Sequence, residues 1–163
     1  MLQVVEVAHV TLNVTDLDRS EKFYKEILGF RESGRREGVI VWMNMGQFRD
    51  GDNLAFHNLG LYKVPNGAPE DYRKRAGMNH AAFRLRTAED LDRAAEFLHS
   101  KGVKVLKGPL THSEDMDRYL YFEDPDGNVI ELVASTLPGY PEEYLRGNRR
   151  EVVRSKTSAE SEP

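Results

Sequence analysis

The succession strand, helix, three strands runs twice along this chain, and that internal repeat restricts the fold more than any other feature of the sequence. In the first pass, Val4 to Val14 alternates as a strand. Val5, Val7, His9, Thr11 and Asn13 share one face, while Val4, Val10, Leu12 and Val14 lie mostly on the other. Thr15 or Asp16 then caps a helix to about Leu28, with Leu17, Tyr24, Ile27 and Leu28 at helical spacing and Gly29 as its stop. Strand candidates follow at Phe30 to Ser33, Val39 to Met45 and Asn53 to Leu59. In the second pass, Asn79 to Arg86 reads as a strand, and Thr87 caps a helix with Asp90 as its capping-box partner. Leu91, Ala94, Ala95 and Leu98 form the apolar stripe of that helix, and Gly102 ends it. Val103 to Leu106, Tyr119 to Glu123 and Val129 to Ala134 complete the pattern. The expectation is an α+β fold of two βαβββ modules, whose pseudo-twofold arrangement would let two sheets curl around a shared central cleft.

Two stretches fall outside the repeat. Leu61 to Met78, with Pro65, Gly67, Pro69 and a charged run from Glu70 to Arg75, reads as an inserted loop holding one helical turn. From Leu137 the run Pro138-Gly139-Tyr140-Pro141 breaks the sheet pattern. Residues 138–163 then read as a charged helix and tail, able to pack on a partner subunit. The expected organisation is one domain over residues 1–137, with modules at about 4–60 and 79–135 and an insertion at 61–78.

Several function classes drop out on composition. The 163-residue chain carries 23 basic and 27 acidic side chains, a net charge of −4, so it lacks the basic excess that phosphate backbones require. It has no cysteine, which removes disulfides, thiolate metal sites and a cysteine nucleophile. The opening residues show no signal-peptide pattern, and no stretch approaches the ~20 apolar residues of a membrane span. A cytoplasmic protein with no nucleic-acid or membrane partner is the expectation.

The placement of the histidines is informative. His9 lies on the first strand of the first module and His80 at the start of the first strand of the second, so a pseudo-twofold would bring the two imidazoles together. Glu131 is a carboxylate inside the otherwise apolar strand Asn128-Val129-Ile130-Glu131-Leu132-Val133, where it needs a cation or hydrogen-bond donors. Two neutral imidazoles and a carboxylate with open positions match the facial arrangement of non-haem Fe(II) sites. The alternative for each residue alone is an ordinary hydrogen-bonded structural role.

Three segments, in order, carry a family resemblance. His9-Val10-Thr11-Leu12-Asn13-Val14 through Phe23-Tyr24 and Leu28-Gly29-Phe30 resembles the opening of a vicinal-oxygen-chelate module. Asn79-His80-Ala81-Ala82-Phe83 resembles the opening of a second module, and Tyr121 to Asn128 leading to Glu131 resembles the closing motif. The stretch from His112 to Glu131, with Leu120-Tyr121, Asp124-Pro125 and Gly127 between, is similar to the signature of type I extradiol dioxygenases, with Leu110 a departure from it. The resemblance implies a divalent metal, Fe(II) or another ion, on His9, His80 and Glu131, and catalytic roles for Tyr121 and His112 towards substrate and bound oxygen.

Those dioxygenases also carry an acid-base His just before an Asp-aliphatic-Ala-aromatic run on the fourth strand. The comparable run here, Asn53-Leu54-Ala55-Phe56, has Asp52 at that place and His57 just after it, on the opposite face by strand parity. His57 therefore stands as a displaced acid-base, a further group near the metal or a plain strand residue. His99, late in the second helix, reads as a solvent-facing residue that complements the helix dipole. Glyoxalase I and methylmalonyl-CoA epimerase share the fold but take a Glu or Gln ligand from the fourth strand, and residues 53–60 contain neither. The expected activity is extradiol cleavage of a catechol-type diol by O2 in a homodimer. A glyoxalase- or epimerase-like isomerase or lyase is the alternative, and a metal-free sequestering protein ranks third.

Overall fold

The computed structural model describes residues 2–4, 7–46, 57–67, 69, 72–74 and 76–137. The elements run β1 (Val10–Val14), α1 (Leu17–Leu28), β2 (Arg31–Arg36), β3 (Ile40–Asn44), β4 (Leu59–Lys63), a 3-10 turn (Tyr72–Lys74), β5 (Ala81–Arg84), α2 (Ala88–Ser100), β6 (Val105–Thr111), β7 (Asp117–Glu123) and β8 (Val129–Ser135). They build two four-stranded sheets of order β1-β4-β3-β2 and β5-β8-β7-β6, the doubled βαβββ arrangement expected from the repeat. Among the described residues no helix is long and apolar enough to cross a membrane. The proposed 138–163 helix and tail lies outside the described residues.

The chain forms two compact units, residues 1–81 with 123–130, and residues 82–122 with 131 onward. In the first, Asp16 caps α1 by accepting the Arg19 N–H at 3.0 Å. Gly29, at φ 70°, closes the helix by returning its N–H to the last-turn carbonyls. Leu12, Val14, Val41, Met43, Leu59 and Leu61 are buried on the sheet, as are Leu17 and Tyr24 of α1. Each such side chain contributes roughly 1.5–3 kcal/mol of burial. In the second unit the capping box of Thr87 and Asp90 forms as expected. Leu91 and Leu98 of α2 are buried, as are Leu120 and Phe122 of β7 and Leu132 and Ala134 of β8.

Several strand boundaries differ from the sequence expectation. β1 starts at Val10, and residues 7–9 ahead of it carry no regular structure. The fourth strand is Leu59–Lys63, not Asn53 to Leu59, so the insertion begins after Lys63; residues 53–56 lie outside the described residues. Parallel pairing with β1, from Val10 opposite Leu59 to Val14 opposite Lys63, sets that register. A short apolar run carries no signal of where its partner strand will catch it. β6 extends to Thr111, past the expected end at Leu106, with register shifts between Val105 and Leu110 that hide its period.

The turn 123–130 is held by two carboxylates. Asp124 accepts the N–H groups of Asp126 and Asn128 at 2.9 and 2.8 Å, and the Tyr24 hydroxyl at 3.0 Å. Burial pushes its carboxyl above the ordinary range despite those donors, and burial with the Asp124 charge raises the Tyr24 phenol well above its own. Asp126 accepts from the Thr15 N–H and hydroxyl, Arg19 at 2.8 Å and Ser20 at 3.2 Å, all at the start of α1. Burial works to raise the Asp126 carboxyl, but the Thr15 and Arg19 bonds outweigh it and hold it below the usual carboxylate range. A carboxyl lowered in the folded state stabilises above its unfolded value and loses that contribution as pH falls through the folded one. Asp126→Ala is therefore expected to lose about 1–3 kcal/mol at neutral pH. In denaturant melts the gap to the parent chain should narrow as pH drops below the ordinary carboxylate range; a gap independent of pH would refute the charged role.

Candidate active site

Three of the residues singled out from the sequence meet in the second unit. Glu131 on β8 is 5% exposed. His112 follows β6 directly, and its position is set by the turn that closes β6 onto β7. Its N–H donates to the Asp117 carbonyl at 2.9 Å, and its own carbonyl accepts from Met116 at 3.2 Å. The His112 Nε2 lies 3.4 Å from Glu131 Oε1. Tyr121 on β7 hydrogen-bonds the same carboxylate; burial first, then that bond and the Glu131 charge, pushes its phenol up to about 12. The phenol therefore stays a proton donor across the physiological range.

Tyr119, which the sequence reading passed over, completes this cluster. Its ring stacks on His112 with centroids 3.7 Å apart and planes 13° from parallel. It meets Tyr121 edge-on at 5.4 Å, and the Lys107 ammonium stands 5.3 Å from its centroid. The available signal was strand alternation: residues 119 and 121 are two apart on β7 and share a face.

The first unit holds His9, His57 and His80. His9 immediately precedes β1, and its ring centroid is 4.5 Å from that of His57; Trp42 on β3 stands 6.2 Å from His57. With β4 at Leu59–Lys63, His57 stands two residues ahead of that strand, with its ring beside that of His9. The run Asn53 to Phe56, and Asp52 before it, lie outside the described residues. Asn58 anchors the segment, donating to the Met43 carbonyl and accepting the Val10 N–H, each at 2.9 Å. His80 Nδ1 donates to Asn79 Oδ1 at 2.8 Å, since that oxygen can only accept.

Two imidazole nitrogens and a buried carboxylate are donors suited to Fe(II), Mn(II) or Zn(II). His9 and His80 belong to the first unit and Glu131 to the second. Among the described residues, no three His, Asp or Glu side chains form a group that could hold a metal ion. The fit to the expected metal is one of donor type, two imidazoles and a carboxylate.

With this geometry in view, comparison with known proteins defines the class. The sequence pattern of the Glyoxalase/Bleomycin resistance protein/Dioxygenase superfamily matches residues 6–132, and the chain belongs to that family. The chain is 33% identical to YqjT of Bacillus subtilis (strain 168), over 77% of this chain and 96% of that protein. It is 29% identical to metallothiol transferase FosB of Staphylococcus epidermidis (strain ATCC 12228 / FDA PCI 1200), over 88% of this chain and 91% of the relative. It is 28% identical to biphenyl-2,3-diol 1,2-dioxygenase 2 of Rhodococcus globerulus, over 90% of this chain and 73% of that enzyme. A glyoxylase/bleomycin resistance protein/dioxygenase domain from Frankia sp. EAN1pec shares the fold at TM-score 0.63 and 24% identity, covering 87% of this chain and 99% of its own.

The stack predicts a separable effect at residue 119. Tyr119→Phe keeps the ring and should leave the His112 imidazole proton signals where they are. Tyr119→Leu should shift them downfield as the ring current disappears, measured by NMR on metal-free protein. Equal spectra from both variants would show that the rings do not stack in solution.

Proposed function

We propose that the protein is an Fe(II)-dependent extradiol dioxygenase that opens a catechol-type ring with O2, with His9, His80 and Glu131 as the metal's ligands. The observation that carries this reading is the pair of donors, His112 and Tyr121, on the Glu131 carboxylate. A ligating carboxylate flanked by a phenol and an imidazole places proton donors beside the reacting oxygens, where charge develops. His57, just before β4 and beside His9, supports the reading from the other unit. The likeness to a biphenyl-diol dioxygenase over most of the chain agrees with it.

When bound, the ferrous ion would supply open positions for two vicinal substrate oxygens and for O2, and with them the electronic path between the two reactants. The chain supplies position and proton handling. The imidazole of His57 takes a proton from a diol hydroxyl, leaving the substrate as an anionic chelator. With Glu131 drawn to the ion, the single Oη–H of Tyr121 would turn from the carboxylate to a substrate oxygen and hold the ring in one orientation. The His112 Nε2–H would in the same way turn from Glu131 to the oxygen that is inserted. Both atoms of O2 enter a hydroxymuconic semialdehyde-type product, so no external reductant is consumed.

A second reading, a metal-dependent thiol transferase or lyase, is favoured by the FosB relative, which the chain matches over more of its length. Oxygen separates the two. The Fe(II)-loaded protein, prepared anaerobically, should take up O2 with catechols and yield a yellow ring-opened product. Tyr121→Phe and His112→Gln should keep the metal and lose roughly thirty- to thousand-fold in rate. Glu131→Ala should lose the metal itself, read by elemental analysis. No oxygen uptake across simple and fused-ring catechols, or turnover of a thiol substrate without oxygen, overturns the dioxygenase reading.

A further inference from the structure

The sheet of the first unit has two faces of different character. One carries Leu12, Val14, Val41, Met43, Leu59 and Leu61 and is buried. The composition of the other follows from the register. Gly34, Trp42, Gly60 and Thr11 form a row across β2, β3, β4 and β1, and Arg36, Ile40, Tyr62 and Asn13 form the next. The His9 and His57 rings close one end of this face, beyond the Trp42 row, where Trp42 and His57 are 6.2 Å apart.

Trp42 thus has a glycine on each neighbouring strand, so no side chain rises directly beside its indole. At Gly60 even a Cβ would stand 2.7 Å from Thr11 Oγ1. Thr11 already leans over that position, and nothing larger stands between the indole and the β1 edge. Tyr62 is 43% exposed. The result is a low shelf of one indole, one phenol, a hydroxyl and an amide. β1, β3 and β4 contribute no charged side chain to it. Among the described residues of these rows, charge enters on the outer strand β2, through Arg31 and Arg36 at the ends. A cleft of about 410 Å³ opens at the β1 edge, walled by Thr11, Asn13, Asn66, Pro69 and Met78 among others. No Lys or Arg is among its described lining residues, and its carboxylate, Asp126, is already bonded to Thr15, Arg19 and Ser20.

We infer that this face is the substrate shelf, and that the substrate is a neutral catechol carrying a second ring, fused or as an aryl substituent. The inference rests on the ring-cleavage reading and narrows its substrate class. The second ring lies against Trp42 and Tyr62, where flat aromatic faces stack and shed water. Thr11 and Asn13 serve a polar ring edge, and the diol end points to His9 and His57. A carboxylated substrate would set its charge over the electron-rich ring faces.

Trp42 is the sole tryptophan of the chain, so its fluorescence reports on this shelf alone. The full-length, metal-free protein is titrated with 2-phenylphenol, which has two rings and no vicinal diol, and with phenol and biphenyl-4-carboxylate. Saturable quenching is expected with 2-phenylphenol, with phenol and the carboxylate binding about tenfold more weakly. Tyr62→Ala should weaken 2-phenylphenol about fivefold, with circular dichroism unchanged, and Arg36→Ala should leave it unaffected. Absence of saturable quenching by 2-phenylphenol overturns the inference. So does equal or tighter binding of the carboxylate, with Arg36→Ala abolishing it. The comparison of probes on the parent chain stands even if a variant fails to fold. Quenching without oxygen uptake on catechols would retire ring cleavage and keep the shelf. Oxygen uptake without quenching would do the reverse.

Discussion

One carboxylate docked on the start of α1 and a second inside the turn hold the segment that leads into the Glu131 strand. Asp126 meets Thr15, Arg19 and Ser20 in the first turn of the helix, where unpaired N–H groups and the helix dipole favour an anion. Asp124 gathers the turn's own N–H groups and the Tyr24 hydroxyl. A buried carboxylate left without donors would cost several kcal/mol, so the two acids admit few other arrangements of residues 123–130. That constraint makes Asp-Pro-Asp-Gly-Asn a structural motif as much as a signature. It determines the residue at which β8 begins, and hence which β8 side chains alternate inward and outward.

The alternation on β8 and β7 then divides labour between faces. Ile130, Leu132 and Ala134 are buried as core on one side, and Leu120 and Phe122 do the same on β7. Glu131, Tyr119 and Tyr121 take the intervening positions. A one-residue slip of β7 would trade Tyr121 for Leu120 and remove the donor from the carboxylate. The hydrophobic core of the second unit therefore guards the chemistry indirectly, through parity. The same logic holds in the first unit, where Val41, Met43, Leu59 and Leu61 go to the buried face and leave Trp42, Gly60 and Tyr62 on the open one.

Superfamily membership leaves the reaction open, because the fold supports lyase, transferase and dioxygenase chemistry among the relatives of this chain. What would separate those chemistries is the set of side chains grouped around the site. The Tyr119-His112-Glu131-Tyr121 cluster and the pairing of His57 with His9 are features of this kind.

Local signals determined much on their own. Caps, helical periodicity and the repeated module pattern are written in short windows, so α1, α2 and the doubled βαβββ order were legible in the sequence alone. Strand register was not, because it depends on which partner a strand meets. Parallel pairing of β1 with β4 set the fourth strand at Leu59–Lys63 and left His57 ahead of it. The stack of Tyr119 on His112 joins residues seven apart across a turn, and the row from Gly34 through Trp42 and Gly60 to Thr11 joins four strands. Contacts of that kind come into being only when strands pair, so tertiary structure alone decided them.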